Sequence, residues 1–433
     1  MKHWFKDQHF RSLLKNSSYL AVSRGVAAVC SLATLAFAGR DLGVMLFGTL
    51  ILITSYAKAA SGLSKFQSWQ LVVRYGGQGL AAGEPEQFKT STGFAFALDV
   101  LSGIAGMIVA VLVLPLIAAW VGIEDQYLWL AMLYCTLLPT MGAATPSGVL
   151  RTLDRFDLLS WAGTTTPIAR ALLAGAAFAT DAPLSVYVLI WYVTDLGGDL
   201  YTWFLAWREL RRRDLLQGIR PTLKPTTLAG AWRFAIHVNL AQSVTTVWGP
   251  IARLIVGGLL GPAGAALFRV ASSLADSAQK PSDLLAKAFY PEVVRMDLST
   301  KKPWKLMVRG TVLATGVAIL AVLVLLVAGR PLISLLFGRE FLGAYEALLV
   351  LMLVPLLGIF SFPMIPMLYA LGRSDGPLKA KLLGSVVFFA AIAPLSLELG
   401  IVGAAIAFVI GSAANVAAMM VQLRREYRRV RAR

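Results

Sequence analysis

Residues 92–120, TGFAFALDVLSGIAGMIVAVLVLPLIAAW, form a long apolar stretch whose only charged side chain is that of Asp99. A helix that crosses a bilayer needs about 20 mostly apolar residues, and this stretch is longer than that. It therefore predicts a transmembrane helix that carries one carboxylate at membrane depth.

Eleven further stretches have the same apolar character. The chain is 57% hydrophobic over its 433 residues, which is unlike a soluble protein of this length. The twelve predicted spans lie near residues 13–38, 44–66, 92–120, 127–150, 158–180, 184–207, 232–256, 263–287, 306–328, 341–370, 377–397 and 400–423. We therefore expect an all-α polytopic membrane protein.

The connectors between these spans alternate in charge. Lys and Arg cluster near residues 2–15, 74–89, 151–155, 208–224, 295–305, 373–381 and 424–433. The intervening connectors hold Glu124, Asp125, Asp181 and Glu398 with few basic residues. The positive-inside rule then predicts that both the N- and the C-terminus are cytoplasmic, which requires an even number of spans.

Composition also excludes several classes of function. The net charge of +17 lies mostly in the connectors, so contact with membrane lipid head groups explains it and no nucleic acid partner is expected. Cys30 and Cys135 fall within predicted spans, and His3, His9 and His237 are scattered, so no disulfide or metal site is predicted. Without a Walker motif or a large connector, we expect neither an enzyme nor a cofactor.

A hydrophilic connector at 208–231 divides the chain into two halves, which predicts lobes at 1–220 and 221–433. The halves share a weak repeat, because GRDLG at 39–43 follows the first span and GGLLG at 257–261 follows the seventh. Six spans in each half give parallel repeats, an arrangement found in transporters. We therefore expect 12 transmembrane helices in two pseudo-symmetric six-helix lobes around a central cavity.

Ten charged residues of the predicted spans are expected to lie at membrane depth. They are Arg24, Lys58, Asp99, Arg170, Asp195, Asp199, Arg253, Arg269, Asp276 and Lys280. A lipid-facing charge at the bilayer centre costs roughly 2.5–3.5 kcal/mol, and a whole protein is typically stable by only about 5–15 kcal/mol. Most of the ten must therefore face a water-filled path or each other.

The eighth span concentrates these charges on one helical face. Arg269, Asp276, Lys280, Asp283 and Lys287 are spaced by seven, four, three and four residues. The pairs Asp276–Lys280 and Asp283–Lys287 have the favourable acid-before-base order at i,i+4. A self-neutralised stripe against a neighbouring helix is an alternative, although Arg269 has no acid one turn away.

The basic residues of the other spans lack an acid nearby in sequence. Arg24 and Lys58 must find a partner elsewhere, either an anionic substrate or an acid such as Asp99 or Asp195. Arg253 lies near the end of the seventh span, where its side chain can instead reach the membrane interface.

Asp195 and Asp199 lie one helical turn apart in the sixth span. Two close carboxylates repel each other, and burial adds to the cost of charging both. Such a pair can carry a proton or bind a cation. A structural ion pair with Arg170 of the fifth span is an equally weighted alternative.

Six segments resemble those of one known family, in which they occur in the same order and at the same spans. They are LLKNSS (13–18), AGRDLGVMLFGTL (38–50), GGLLGPAGAALFRVASSL (257–274), FYPEVVRM (289–296), LLFGREFLGAYEALLVL (335–351) and LYALGRSD (368–375). The family in question is the O-antigen or exopolysaccharide repeat-unit flippase of the multidrug/oligosaccharidyl-lipid/polysaccharide exporter superfamily.

This resemblance implies a function. Such flippases have twelve or fourteen helices in two lobes, and they move undecaprenyl-diphosphate-linked oligosaccharide across the bacterial inner membrane, with an ion gradient thought to drive alternating access. In related lipid II flippases, basic residues of the first, second and eighth helices line the cavity, which matches Arg24, Lys58 and Arg269 here.

The residues and the resemblance together predict two sets of site residues. The set expected to bind the diphosphate and sugar is Arg24, Lys58, Arg253, Arg269 and Lys280. The set expected to couple transport to H⁺ or Na⁺ is Asp99, Asp195, Asp199 and Asp276.

Three alternatives stay open. A drug or cation antiporter of the same superfamily would typically favour acids in its cavity, whereas six of the ten membrane-depth charges are basic. A membrane-embedded polymerase or ligase of lipid-linked sugars would need a larger outer loop. A lipid II flippase would differ in its cargo.

Overall fold

In the computed structural model, the described residues are 8–66, 68–294, 302–371, 373 and 375–432, and the elements within them are helical. In chain order they are α1 (Gln8–Ser64), α2 (Trp69–Leu71), a π-helical turn (Val72–Gly76), α3 (Gly77–Ala81), α4 (Pro85–Val121), a 3₁₀ turn (Asp125–Tyr127), α5 (Leu128–Cys135), α6 (Ala144–Thr152), α7 (Phe156–Phe178), α8 (Leu184–Arg212), α9 (Ala231–Thr246), α10 (Trp248–Val294), α11 (Lys302–Leu336), a second 3₁₀ turn (Arg339–Gly343), α12 (Ala344–Leu351), α13 (Leu353–Ser361), α14 (Met364–Ala370) and α15 (Gly376–Ala432). The predicted all-α class is confirmed.

Five helical stretches within the described residues are long and apolar enough to cross a membrane. They are Ser23–Ser64, Pro85–Val121, Trp248–Ala278, Arg339–Tyr369 and Gly376–Arg429. Large aliphatic side chains remain exposed on them and on α11, including Leu116 at 82% and Val327 at 83%. A chain that leaves such side chains outside its core has a bilayer as solvent, so this is a multi-pass membrane protein.

Glycines interrupt the longest helices at the ends of predicted spans. Gly43 breaks α1 with φ 63° and ψ 178°, and Gly261 breaks α10 with φ 73° and ψ 178°. Only glycine adopts such a conformation without a steric cost. These two residues are the last glycines of the GRDLG and GGLLG segments, so the weak sequence repeat corresponds to the same backbone break in both places.

The helices form two compact units. The first comprises Met1–Leu42, Ile53–Ala119 and Ile123–Val247, and the second comprises Gly43–Leu52, Trp120–Gly122 and Trp248–Arg433. In the first unit, buried Phe88, Val149, Leu158 and Leu205 join α4, α6, α7 and α8 in one apolar cluster. In the second, Trp248 stacks on Phe388 of α15 with their ring centroids 4.8 Å apart.

A charged network closes the end of the first unit where α7 begins and α8 ends. Glu209, only 3% exposed, accepts hydrogen bonds from Arg155 at 2.5 Å and from Arg213 at 2.9 Å. Arg155 also binds Asp157, with both nitrogen-to-oxygen distances at 2.9 Å. Arg213 donates a further hydrogen bond to the carbonyl of Leu153 at 3.1 Å. The network thereby ties the α6–α7 junction to the last turn of α8.

Replacing Glu209 by Gln is expected to destabilise the fold by about 2 kcal/mol at neutral pH, because two charge-assisted hydrogen bonds weaken. Glu209 and Asp157 lie just outside the predicted spans. Burial raises the pKa of Glu209, but hydrogen bonds from Arg213 and Arg155 outweigh it and the pKa is lowered. The hydrogen bond from Arg155 likewise lowers the pKa of Asp157.

A carboxylate whose pKa is lower in the folded protein stabilises the fold above its unfolded pKa of roughly 4, and that contribution is lost as the pH falls through the folded pKa. Thermal unfolding in detergent between pH 3 and 7 should therefore show a difference between wild type and E209Q that shrinks at the acid end. The matched control is E86Q, since Glu86 pairs with Lys89 at the surface and should matter little. A constant difference across this range would contradict the assignment.

Candidate functional site: a charged cavity in the first unit

A partly open cavity of about 460 Å³ is formed by residues of the first unit. Its wall includes the four charged residues Lys58, Arg170, Asp195 and Asp199. Gly198 allows α8 to pack closely against α7 beside this cavity, since a Cβ atom there would lie 1.9 Å from the hydroxyl oxygen of Thr166. Arg170 lies on α7, Asp195 and Asp199 lie on α8, and Lys58 lies on α1. Lys58 is exposed at this cavity, whereas Arg170, Asp195 and Asp199 are half-buried along its wall.

Asp195 is held in a fixed position. It accepts a hydrogen bond from the guanidinium of Arg170 and another from the hydroxyl of Tyr134. Arg170 is itself fixed by a 2.8 Å hydrogen bond to Thr194. Lys58 lies close enough to interact electrostatically with Asp195. The structural ion pair that the sequence left as an alternative is therefore present.

Asp199 has a different environment one helical turn away. Its carboxylate accepts one hydrogen bond, from the backbone N–H of Gly142 at 3.2 Å. Within the described residues it forms no ion pair, although Asp195, Lys65 and Arg170 lie within electrostatic range. Asp199 has one long hydrogen bond and a second acid beside it, so it can exchange a proton or a cation more readily than Asp195 can.

The segment that carries Gly142 is held at its start by hydrogen bonds from Lys65 and at its end by hydrogen bonds to Asp99. Lys65, only 5% exposed, donates hydrogen bonds to the carbonyls of Pro139 at 3.2 Å and Met141 at 2.7 Å. Between Met141 and α6, the backbone takes positive φ angles of 84° at Gly142 and 36° at Ala143. For a residue other than glycine this conformation is strained, and such strain clusters at functional sites.

Asp99, one of the acids predicted to couple transport to an ion, lies at the end of this segment, next to Thr145. It is 2% exposed and accepts hydrogen bonds from the Ser68 hydroxyl at 2.5 Å and from Thr145, through its N–H at 2.8 Å and its hydroxyl at 2.6 Å. Thr145 lies in the first turn of α6, where backbone N–H groups lack intrahelical partners. Asp99 therefore caps α6 from a different helix.

Arg24 is not among the residues that line this cavity and lies instead near another cation of the first unit, Arg151. Its neighbour Ser23 donates a hydrogen bond to the carbonyl of Ser160 on α7 at 2.9 Å, which places this turn of α1 against α7. Arg24 is exposed and lies within electrostatic range of Arg151. The guanidinium of Arg151 lies 4.1 Å from the ring centroid of Trp69. Two neighbouring cations beside an aromatic ring are suited to bind an anion.

The remaining predicted site residues belong to the second unit. Arg253, 9% exposed, lies within electrostatic range of Arg269 and Asp276 on the same helix, α10. Asp276 is exposed and Arg269 is partly buried. Lys280, Asp283 and Lys287, the other members of the predicted charged face, also belong to α10, but their side chains lie outside the described part of the structure.

Several site residues carried no signal that singled them out in the sequence. Arg151 lies in a basic connector, Tyr134 lies in an apolar span, and Gly142 belongs to no motif. Lys65 is the exception: it lies near the end of its span, and a basic residue at that depth needs a polar partner.

Comparison with known proteins places the molecule in a family. A family model described as "Polysaccharide biosynthesis protein" matches residues 80–346, more than half of the chain. The chain belongs to the polysaccharide biosynthesis protein family. It is also 42% identical over 349 residues to "Inner membrane protein YghQ" of Escherichia coli (strain K12), covering 80% of this chain and 98% of that protein.

Solved structures show that this member of the polysaccharide biosynthesis family has a transporter fold. The inward-facing conformation of a multidrug resistance MATE family transporter of the MOP superfamily matches with a TM-score of 0.73 at 15% identity, over 94% of this chain and 96% of that one. The lipid II flippase MurJ in an inward closed conformation matches with a TM-score of 0.69 at 11% identity, over 95% and 90%. The resemblance read from the sequence is confirmed, and the chain has the fold that these two solved structures share.

Proposed function

We propose that this protein flips undecaprenyl-diphosphate-linked oligosaccharide repeat units across the bacterial inner membrane, by alternating access and for surface polysaccharide such as O-antigen or exopolysaccharide. The proposal includes coupling to H⁺ or Na⁺, twelve spans in two six-helix lobes, and cytoplasmic termini. The observation that carries it is a charged cavity inside an apolar helical unit of a polysaccharide biosynthesis protein.

Arginines of both units support an anionic cargo. A diphosphate carries at least two negative charges, and arginine can bind its oxygens through two parallel hydrogen bonds. Arg24 and Arg151 are neighbouring like charges in the first unit, and Arg253 and Arg269 are neighbouring cations in the second, where Asp276 is also within range. Cations held close together repel each other, and a bound anionic cargo would relieve that repulsion. Lys58, within range of Asp195, links this basic set to the acids of the cavity.

The two acids of the cavity support ion coupling, with separate roles. Asp195 is neutralised by Arg170 and fixed by Tyr134, so it keeps α5, α7 and α8 in place. Within the described part of the chain, Asp199 accepts one hydrogen bond, from Gly142, and it can bind and release a cation. Binding at Asp199 changes the bond to the strained 142–143 turn. Asp99 is left out of this part of the proposal because Ser68 and Thr145 already satisfy it.

The proposal is tested by translocation in proteoliposomes. Purified protein is reconstituted with an undecaprenyl-diphosphate-linked oligosaccharide, and a membrane-impermeant glycosidase or periodate reports the outer fraction over time. Arg24→Gln should slow translocation at least about tenfold, in keeping with the loss of one charge-assisted phosphate contact of about 1.5–3 kcal/mol. The matched control is R220Q, which removes an exposed loop arginine. Wild-type rates in R24Q would contradict the phosphate role.

A cation antiporter of the same superfamily is the second candidate, favoured by the acidic pair in the cavity. The same vesicles distinguish the two functions, because a lipophilic cation replaces the lipid-linked sugar as the transported species. Uptake of that cation without sugar translocation would favour the antiporter. Replacing the sugar lipid by lipid II tests whether the cargo is instead a peptidoglycan precursor.

A further inference from the structure

A groove of about 750 Å³ runs along the second unit, between α11 and the last turns of α15. Its volume falls in the range of about 300–1,000 Å³ that is typical of ligand pockets. The apolar part of the wall comes from Trp304, Val308 and Val312 on α11 and from Met420 and Leu423 on α15. Val308 is 55% exposed and Val312 is 64% exposed, so this wall is open to whatever surrounds the helices.

Three cations line the same groove, namely Lys305, Arg309 and Arg424. In the part of the chain that the structure describes, none of them forms an ion pair. Neighbouring arginines do, since Arg373 and Arg429 both bind Glu426, at 2.6 and 2.8 Å. Lys305 and Arg309 are also one turn apart on α11, where like charges repel.

An aromatic pair identifies the depth of this end of the groove. Trp304 packs edge-on against Tyr427 with ring centroids 4.6 Å apart and an interplanar angle of 67°. Trp and Tyr are enriched where the bilayer meets water, at the level of the lipid head groups. The cations therefore lie at head-group level, and the apolar wall extends from them towards the bilayer interior.

We infer that this groove binds an anionic glycerophospholipid of the surrounding leaflet. Its phosphate contacts Lys305, Arg309 and Arg424, and an acyl chain lies along Val308, Val312 and Met420. The arrangement of cations beside an apolar wall complements an amphiphile with a negative head and a hydrocarbon tail. The occupant is a bulk membrane lipid rather than the cargo lipid, because the groove is open to its surroundings along the exposed Val308 and Val312, and because its polar lining beyond the three cations is limited to Thr311 and Tyr427. The site is separate from the charged cavity and goes beyond the proposed transport function.

Binding is tested by native mass spectrometry of the purified full-length protein, titrated with phosphatidylglycerol or phosphatidylcholine of identical acyl chains. Wild type should prefer phosphatidylglycerol. The double variant R309Q/R424Q should lose about 30-fold of that preference, since each cation near a membrane surface contributes about a factor of five to anionic-lipid binding. The matched control is R425Q/R428Q, which removes two arginines of the same helix that do not line the groove. The control should keep the preference.

A second variant tests the apolar wall without changing the charge. Val312→Trp fills the groove from an exposed position and should weaken binding of both phospholipids, while the preference between them remains. Because Val312 is exposed, the variant should elute as wild type in size-exclusion chromatography.

Three results would overturn the inference. They are an equal loss of preference in the control pair, an absence of headgroup preference in wild type, and displacement of phosphatidylglycerol by equimolar undecaprenyl phosphate. The first would indicate a diffuse basic surface, and the last would make the lipid carrier the occupant.

Discussion

Replacing Asp199 by Asn should reduce gradient-driven transport by at least about 100-fold, the lower end of what a positioned proton-transfer group contributes. Asn keeps the size of the side chain and still accepts the hydrogen bond that Gly142 donates at 3.2 Å. The carboxamide of Asn has no negatively charged form, so it can neither take up a proton nor hold a cation as the Asp199 carboxylate can. The folded protein should therefore remain while coupling is lost. The measurement is accumulation of the lipid-linked sugar in proteoliposomes under an imposed pH or Na⁺ gradient.

Two controls make this result specific. Asp181→Asn removes an exposed carboxylate of a connector and should leave transport unchanged. Exchange in the absence of a gradient should persist in D199N, because the cargo site is not altered. Gradient-driven accumulation by D199N at the wild-type rate would show that Asp199 is not the coupling acid.

Replacing Arg170 by Ala should destabilise the folded protein by about 3 kcal/mol, which makes it the largest expected effect on stability. The side chains of Arg170 and Asp195 are 15% and 22% exposed, so their ion pair is mostly withdrawn from solvent. Removing one partner of such a pair leaves an uncompensated charge, at a typical cost of about 3–5 kcal/mol. Partial exposure places this pair at the lower end. Thermal and denaturant unfolding in detergent measure the loss.

A double-mutant cycle separates the lost pair from the lost side chain. R170A/D195N removes the charge that R170A leaves behind, so it should recover part of the stability. The carboxamide that replaces the Asp195 carboxylate can also keep the hydrogen bond from the Tyr134 hydroxyl. If R170A/D195N were no more stable than R170A, then the ion pair would not be what holds α7 and α8 together.

The predicted repeat shows what could be recovered from sequence and how far. GRDLG and GGLLG pointed to matched positions, and Gly43 and Gly261 indeed break their helices with nearly the same backbone angles. This was predictable because a positive φ is a local demand that glycine meets. The partners of the charges were harder to predict. Arg170 with Asp195 was one of two weighted alternatives, and the bond from Thr145 to Asp99 was not foreseen.

Sequence alone determined that this is an all-α membrane protein with acids and bases at membrane depth. Bilayer thickness and the cost of desolvation act on each stretch of chain directly, whatever its neighbours. Only the tertiary structure decided which charge meets which group. Asp99, Asp195 and Asp199 look alike in the sequence. In the structure, Asp99 accepts three hydrogen bonds from Ser68 and Thr145, Asp195 forms an ion pair with Arg170, and Asp199 accepts one long hydrogen bond from Gly142. Those differences depend on how each helix is rotated against helices that are distant in the chain. Lys65 and Met141, for example, are hydrogen-bonded although they are 76 residues apart. No local sequence pattern encodes such a rotation.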